Sequence, residues 1–387
     1  MQGIVVAWTV YDLTKDPLML GMVGLAEAIP AIGAALPMGY VVDKMNKKSA
    51  IGLATLIVLL SAVATGVLVQ PWSVAAVGVD WSIVLILAMV VVNGFARSMY
   101  SPSMFSALSR VVPRNLLARA TATGSAAWQA AMVLGPMAAG LIYGEFGVGT
   151  AAIATVAVML LGVMGLVGLP TLPPIPSESK GSLREDLSLG LTFILKNQVI
   201  LGALSLDMFA VLFGGAVAIL PVFADQILHV DASGLGVLRA APSIGSVILM
   251  TFMSIRPPER NTGRVLLAAF AGFGLCTIGF ALSTSFWLSV ALLIAVGAFD
   301  AVSVVVRGTI LQLFTPDEMR GRVAAANTMF ISSSNEIGAL ESGVAARVMG
   351  AVPSVIFGGA MTLVVVTVIA FKAPILRRLE LASEADG

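Results

Sequence analysis

Eight ionisable side chains stand inside stretches that are otherwise apolar: Glu27, Arg97, Asp207, Arg239, Asp300, Arg307, Glu336 and Glu341. A charge in hydrocarbon costs from a few to more than ten kcal/mol, so such groups persist where they face water or a partner. Two kinds of chemistry are open to them. Opposite charges can clip helices together, and a carboxylate without a counter-charge holds its proton more tightly, so it can take a proton on one side and release it on the other. Asp207 falls about 10 Å into its helix from the nearer end, at about 1.5 Å per residue. It is a candidate for proton exchange, with snorkelling to the surface as the alternative. Glu336 follows Ser332, Ser333, Ser334 and Asn335. At about 100° per residue this polar run wraps more than one helix face, so protein or water must enclose that helix. Asn93, Gln129 and Asn327 are further polar candidates, and Trp128 offers a stacking face or a packing surface.

The elements that carry these groups must be membrane-spanning helices. Of 387 residues, 58% are hydrophobic and 11% charged, with a mean hydropathy of +0.99. A soluble domain has about 25% charged residues. The net charge of +1 makes no electrostatic case for nucleic acid. One cysteine, Cys276, and one histidine, His229, exclude an intramolecular disulfide and a Cys- or His-rich metal cluster. The phosphate-binding GxxxxGK[ST] loop is absent. Neither a cofactor nor an enzymatic activity is expected.

A span needs about 20 mostly apolar residues. Eleven such stretches lie near 18–42, 50–70, 82–108, 116–144, 149–169, 200–224, 232–255, 264–283, 286–313, 322–350 and 353–372. Residues 1–10 are apolar but too short, and read as the back half of a truncated first helix. A signal peptide is the rival, without a basic start or a small-residue cleavage site. Of the 22 Lys and Arg, 17 fall in alternate loops and the tail, against Lys15 and Arg347 on the other side. The positive-inside rule then predicts a multi-pass protein of the cytoplasmic membrane with its C-terminus in the cytoplasm. The expected organisation is a helical bundle over 1–169, a cytoplasmic loop over 170–199, a second bundle over 200–372 and a tail over 373–387. The loop opens with Pro170, Pro173, Pro174 and Pro176. It continues into Leu183, Leu187, Leu191 and Ile194 at helical spacing, which predicts an interfacial amphipathic helix.

The two bundles repeat each other. Gly24, Glu27, Ala28, Pro30 and Gly33 match Gly236, Arg239, Ala240, Pro242 and Gly245 at one constant offset. Gly94, Arg97, Pro113, Arg119, Gly135 and Gly140 match Gly297, Asp300, Pro316, Arg322, Gly338 and Gly343 at a second. Two ionisable positions recur with inverted sign, Glu27 to Arg239 and Arg97 to Asp300. Glu27 and Arg239 could be structural clips. Arg97 and Asp300, near mid-span, are placed at the centre of a site between the repeats. Residues 1–10 map to about 212–222, so the counterpart of 200–211 is missing.

Gly39-Tyr40-Val41-Val42-Asp43-Lys44-Met45-Asn46-Lys47-Lys48 resembles the GxxxD(R/K)x(G/N)(R/K)(R/K) loop between the second and third helices of the major facilitator superfamily. The resemblance implies an all-α membrane protein of two six-helix bundles related by a pseudo-two-fold axis. In it Asp43, with Gly39, Lys44, Lys47 and Lys48, would form a cytoplasmic gate against a helix N-terminus. Arg97 is similar to the family's buried arginine associated with proton coupling, with Ser101 where glycine is usual. Gly135-Pro136-Met137-Ala138-Ala139-Gly140 resembles the GPxxGG end of a helix-bend motif associated with antiporters, with Ala139 in place of its first terminal glycine. Pro316 with Arg320-Gly321-Arg322-Val323 resembles the step before the eleventh helix. Tyr11-Asp12-Leu13-Thr14, Leu20-Gly21 and Leu220-Pro221-Val222-Phe223 resemble the subgroup of enterobactin-type siderophore exporters and macrolide efflux proteins.

The family then implies a monomeric secondary transporter in the lipid bilayer, exchanging protons for a small organic substrate. The proton-coupling or substrate-binding residues would be Arg97, Asp207, Asp300, Glu336, Glu27, Arg239, Arg307, Asn93, Trp128, Gln129 and Asn327. Uptake by the same fold and a non-transporting membrane protein remain the alternatives.

Overall fold

The computed structural model describes residues 1–34, 38, 41–42, 44–172, 183–214, 216–255, 261–316 and 319–380. Among these the chain is helical and contains no strand. Hydrocarbon offers no partner to backbone N–H and C=O groups, and a helix satisfies its own.

The first half holds α1 (Gln2–Thr14), α2 (Pro17–Gly33), α3 (Lys47–Leu68), α4 (Pro71–Val77), α5 (Val79–Val111) and α6 (Arg114–Val167). The second holds α7 (Leu183–Lys196), α8 (Gln198–Phe213), α9 (Ala232–Ile255), α10 (Thr262–Leu282), α11 (Phe286–Leu313), α12 (Arg320–Met349), α13 (Ala351–Lys372) and the short α14 (Pro374–Arg377). Cap chemistry sets several starts. Asn197 accepts from the Val199 and Ile200 N–H groups at 3.0 and 3.1 Å. Asp231 accepts from the Ser233 and Gly234 N–H groups at 3.0 and 3.1 Å. The Ser233 hydroxyl is the main reason the Asp231 carboxyl sits below its ordinary range.

By length and composition, eight helical stretches among the described residues can cross a membrane, against the eleven expected. The difference has three causes. Two expected spans run together in Thr123–Val167, 45 residues long, broken at Gly147 (φ 80°). A positive φ costs glycine little and other residues more. The polar run Ser332–Glu336 lowers the apolarity of α12, and the expected span at 18–42 runs past α2 into residues outside those described. The expected continuous span at 200–224 is interrupted. α8 stops at Gly214, and 3₁₀ turns over Ala216–Ile219 lead into a π-helical turn over Phe223–Ile227. Pro221 lies between them and has no N–H to continue an α-helix.

The chain forms two compact units, Met1–Ser179 with His229–Val237, and Lys180–Leu228 with Leu238–Gly387. In the first, Val5, Val6, Val10, Ile86, Val90 and Ala151 form a core from α1, α5 and α6. In the second, Ile200, Leu206, Leu266, Ile310 and Val323 join α8, α10, α11 and α12.

The repeated residues make the same contact in each unit. A Cβ on Gly94 would meet the Glu27 carbonyl oxygen and the Pro30 ring, each at 2.5 Å. One on Gly297 would overlap the Pro242 carbonyl. In both units a glycine on one helix lets the proline-bearing helix approach at backbone distance.

Candidate functional site

In the first unit, Gly94 brings α2 against α5 and so places Arg97 beside Glu27. Their guanidinium and carboxylate form an ion pair. The two side chains are 59% and 31% exposed, so the pair is accessible, not sealed. One turn earlier on α5, Asn93 donates to the Gln2 side-chain oxygen at 3.0 Å. The Asn93 Oδ1 atom is buried and accepts no hydrogen bond among the described residues. The sequence repeat puts Arg97 with Asp300 at the centre and offers Glu27 and Arg239 as clips. In the structure the partner of Arg97 is Glu27, on a neighbouring helix of its own unit.

In the second unit, Asp207 on α8 pairs with Arg307 on α11, and both side chains are only 6% exposed. Ser303, one turn before Arg307, donates to the other Asp207 oxygen at 3.4 Å. Asp207 therefore has a counter-charge, and its expected role as an uncompensated proton carrier loses its premise. Asp300 lies further along the same side of α11, half-buried. It has no hydrogen-bond or ion-pair partner among the described residues. Arg239 on α9 donates to the Val217 carbonyl at 3.1 Å. Glu336 is half-buried within α12, where Ser334 is buried and Asn335 exposed. Asn327 on the same helix has a buried Oδ1 without a hydrogen bond among the described residues. Trp128 on α6 is 63% exposed, and its neighbour Gln129 is half-buried.

Gly39 and Asp43 of the basic loop lie outside the described residues. Lys44 is exposed, but Lys47 is buried and donates to the Val42 carbonyl at 2.8 Å. The Lys48 ammonium donates to the Val167 carbonyl at 3.2 Å. Asn46, which the sequence reading did not single out, accepts from the N–H groups of Lys48 at 3.0 Å and Leu172 at 3.2 Å. It caps α3 and ties the loop to the segment after α6. An asparagine just before an apolar run is the signal that could have found it.

In the bend motif, Pro136 stays within α6. A Cβ on Gly140 would lie 2.5 Å from the Ala232 carbonyl oxygen and 2.7 Å from the Gly236 Cα. One on Gly236 would lie 2.7 Å from the Pro136 carbonyl oxygen. Close backbone approach within the first unit thus requires glycine at position 140. An apolar groove of about 370 Å³ lies between α3 and α6, walled by Val63, Val67, Ile153, Val156 and Leu160. None of the ionisable residues lines it.

The family model described as Major Facilitator Superfamily matches residues 1–339. No curated protein matches the sequence. Among solved structures, a D-xylose-proton symporter is similar with a TM-score of 0.74 at 13% identity, over 98% of this chain and 96% of that one. The nucleoside transporter NupG gives 0.63 at 15% identity, over 96% and 97% of the two chains. The xylose transporter XylE from E. coli gives 0.66 at 11%, over 96% and 94%. At these identities the likeness is one of fold.

Proposed function

The chain belongs to the major facilitator superfamily, and from that premise we propose that it is a proton-coupled exporter of an amphipathic small organic molecule, working by alternating access. The observation that carries the reading is how charge is distributed along the spanning helices. Glu27 and Asp207 are each neutralised by an arginine, and Asp300 is not. Holding charges at such depth is expensive. The paired groups are tolerated because each cancels the other. An unpaired carboxylate costs more unless it exchanges a proton or a cation, which is what coupling requires.

In this reading Asp300 and Glu336 are the proton-exchanging groups, and Arg97, Arg239 and Arg307 set the local field. Asn93, Trp128, Gln129 and Asn327 contact substrate. Asp43 with Lys44 gates the cytoplasmic side. The Gly135-Pro136 and Gly140 motif favours antiport. The siderophore- and macrolide-exporter motifs suggest the substrate range. The loop charges support a place in the cytoplasmic membrane with the C-terminus inside, and the family resemblance implies a monomer. Proton flux supplies about 2.3 kcal/mol per charge per 100 mV, together with the pH gradient.

Uptake by symport is the second reading, favoured by Ala139 where the antiporter motif has glycine. Everted membrane vesicles separate the two. On energisation, an exporter accumulates a siderophore, a macrolide or a cationic dye inside the vesicle. Accumulation confined to right-side-out vesicles would establish uptake instead.

A further inference from the structure

Threonine hydroxyls within these helices have an easy partner. Those of Thr55, Thr155, Thr277 and Thr362 each donate to the carbonyl oxygen four residues back, at 2.8, 2.8, 2.9 and 3.0 Å. The bond is local and needs nothing from outside the helix. Thr65 on α3 forgoes it. The residue is only 2% exposed, and its Oγ1 makes no hydrogen bond among the described residues. A buried hydroxyl left unpaired forfeits its hydration without return.

Beside Thr65, where α1, α3 and α6 meet in the first unit, lies a cavity of about 10 Å³. Val5, Ala62 and Ala152 supply its apolar wall, and Gln2, Thr65 and Thr155 its polar groups. Gly66 and Ala152 border both this cavity and the larger apolar groove between α3 and α6. A Cβ on Gly66 would lie 3.2 Å from that of Ala152, so small residues let the two helices meet between the hollows.

We propose that the cavity is a binding site for one water molecule, which ties α1 to α3 and α6. A buried water needs roughly 10–15 Å³ of such space and about two to four polar partners. The space is at the lower limit for one water and too small for an organic ligand. No carboxylate lines it, so a metal ion would find no counter-charge. The donors and acceptors are complementary. The Thr65 hydroxyl donates to the water oxygen. Gln2 already accepts from Asn93 through its side-chain oxygen, so its amide N–H is the second donor. The Thr155 hydroxyl spends its proton on the Ala151 carbonyl and keeps lone pairs to accept from the water. Through Gln2 the water holds the orientation of Asn93, one turn before Arg97. The site stands without the transporter reading, which it meets only in the role of Asn93 as a substrate contact.

Water-to-methyl magnetisation transfer tests it, by solid-state NMR on the full chain in lipid bilayers with labelled threonine methyls. Loss of a signal in Thr65→Val assigns Thr65. In the wild type, Thr65 and Thr155 should receive magnetisation several times faster than Thr277 and Thr362, which are also buried but bonded within their own helices. Thr155 should keep its fast transfer in Thr65→Ser and lose it in Thr65→Val. Transfer to Thr65 no faster than to Thr277 would overturn the site, and so would a Thr155 that stays wet in Thr65→Val. Should Thr65→Val fail to fold, the displaced signal in Thr65→Ser assigns the residue and the wild-type rates decide. Fast transfer in a chain that accumulates nothing in vesicles sinks the export reading and leaves the water. Slow transfer in an exporting chain does the reverse.

Discussion

Asp207 and Arg307 would each be costly alone in the interior and are tolerable together. The pair is nearly sealed, so removing one partner leaves the other charge buried without compensation. Asp207→Asn or Arg307→Gln alone should destabilise the second unit by about 3–5 kcal/mol, and the double substitution should recover much of that loss. Glu27→Gln should cost less than either, because the Arg97 and Glu27 side chains are 59% and 31% exposed and the arginine left behind is not sealed in protein. Thermal unfolding of the purified variants in detergent tests the contrast. Equal losses for the two pairs would contradict the burial argument. The sequence identified every one of these charges, since a charge in an apolar run is conspicuous, but it did not identify the partners. Partner choice depends on how one helix is rotated against another. In spans as uniformly apolar as α8, the sequence marks no face strongly enough to set that rotation.

Helix-level packing is carried by glycines whose importance the sequence shows only in part. The repeat aligns Gly33 with Gly245 as if they were equivalent. They are not. A Cβ on Gly245 would overlap the Ile294 carbonyl on α11, and one on Gly33 would meet nothing within 4 Å. Gly245→Ala should therefore force α9 from α11 at about 1–3 kcal/mol. Gly33→Ala should be neutral, or slightly stabilising through its better helix propensity. Melting temperatures of the two variants give the answer, and a sensitive Gly33 would show that α2 packs more tightly there than its contacts indicate. The sequence read long helices well because runs of twenty apolar residues leave few alternatives. Breaks were harder. Gly147, where φ turns positive, and Gly214, where α8 ends, are two among 39 glycines, most of them unremarkable to the eye. α12 was recognisable in the sequence as an enclosed helix from its run of serines, Asn335 and Glu336. Its polarity also keeps it from passing as a span on composition alone.

For the whole molecule, the question is how much charge one cycle moves. In the proposed export cycle, with Asp207 on α8 neutralised by Arg307, Asp300 exchanges one proton while one monovalent cation leaves. That exchange carries no net charge across the bilayer. The membrane potential, at about 2.3 kcal/mol per charge per 100 mV, then contributes nothing, and the pH gradient alone drives export, at about 1.4 kcal/mol per pH unit. A neutral substrate exchanged for the same proton moves one charge and draws on both. Energised everted vesicles loaded with the transporter should thus stop accumulating ethidium when nigericin collapses the pH gradient. They should continue when valinomycin with potassium collapses the potential. A neutral macrolide should lose part of its accumulation to either ionophore. If valinomycin alone halts ethidium, more than one proton is exchanged per cation. A second carboxylate, with Glu336 the first to substitute by glutamine, must then titrate in the cycle alongside Asp300.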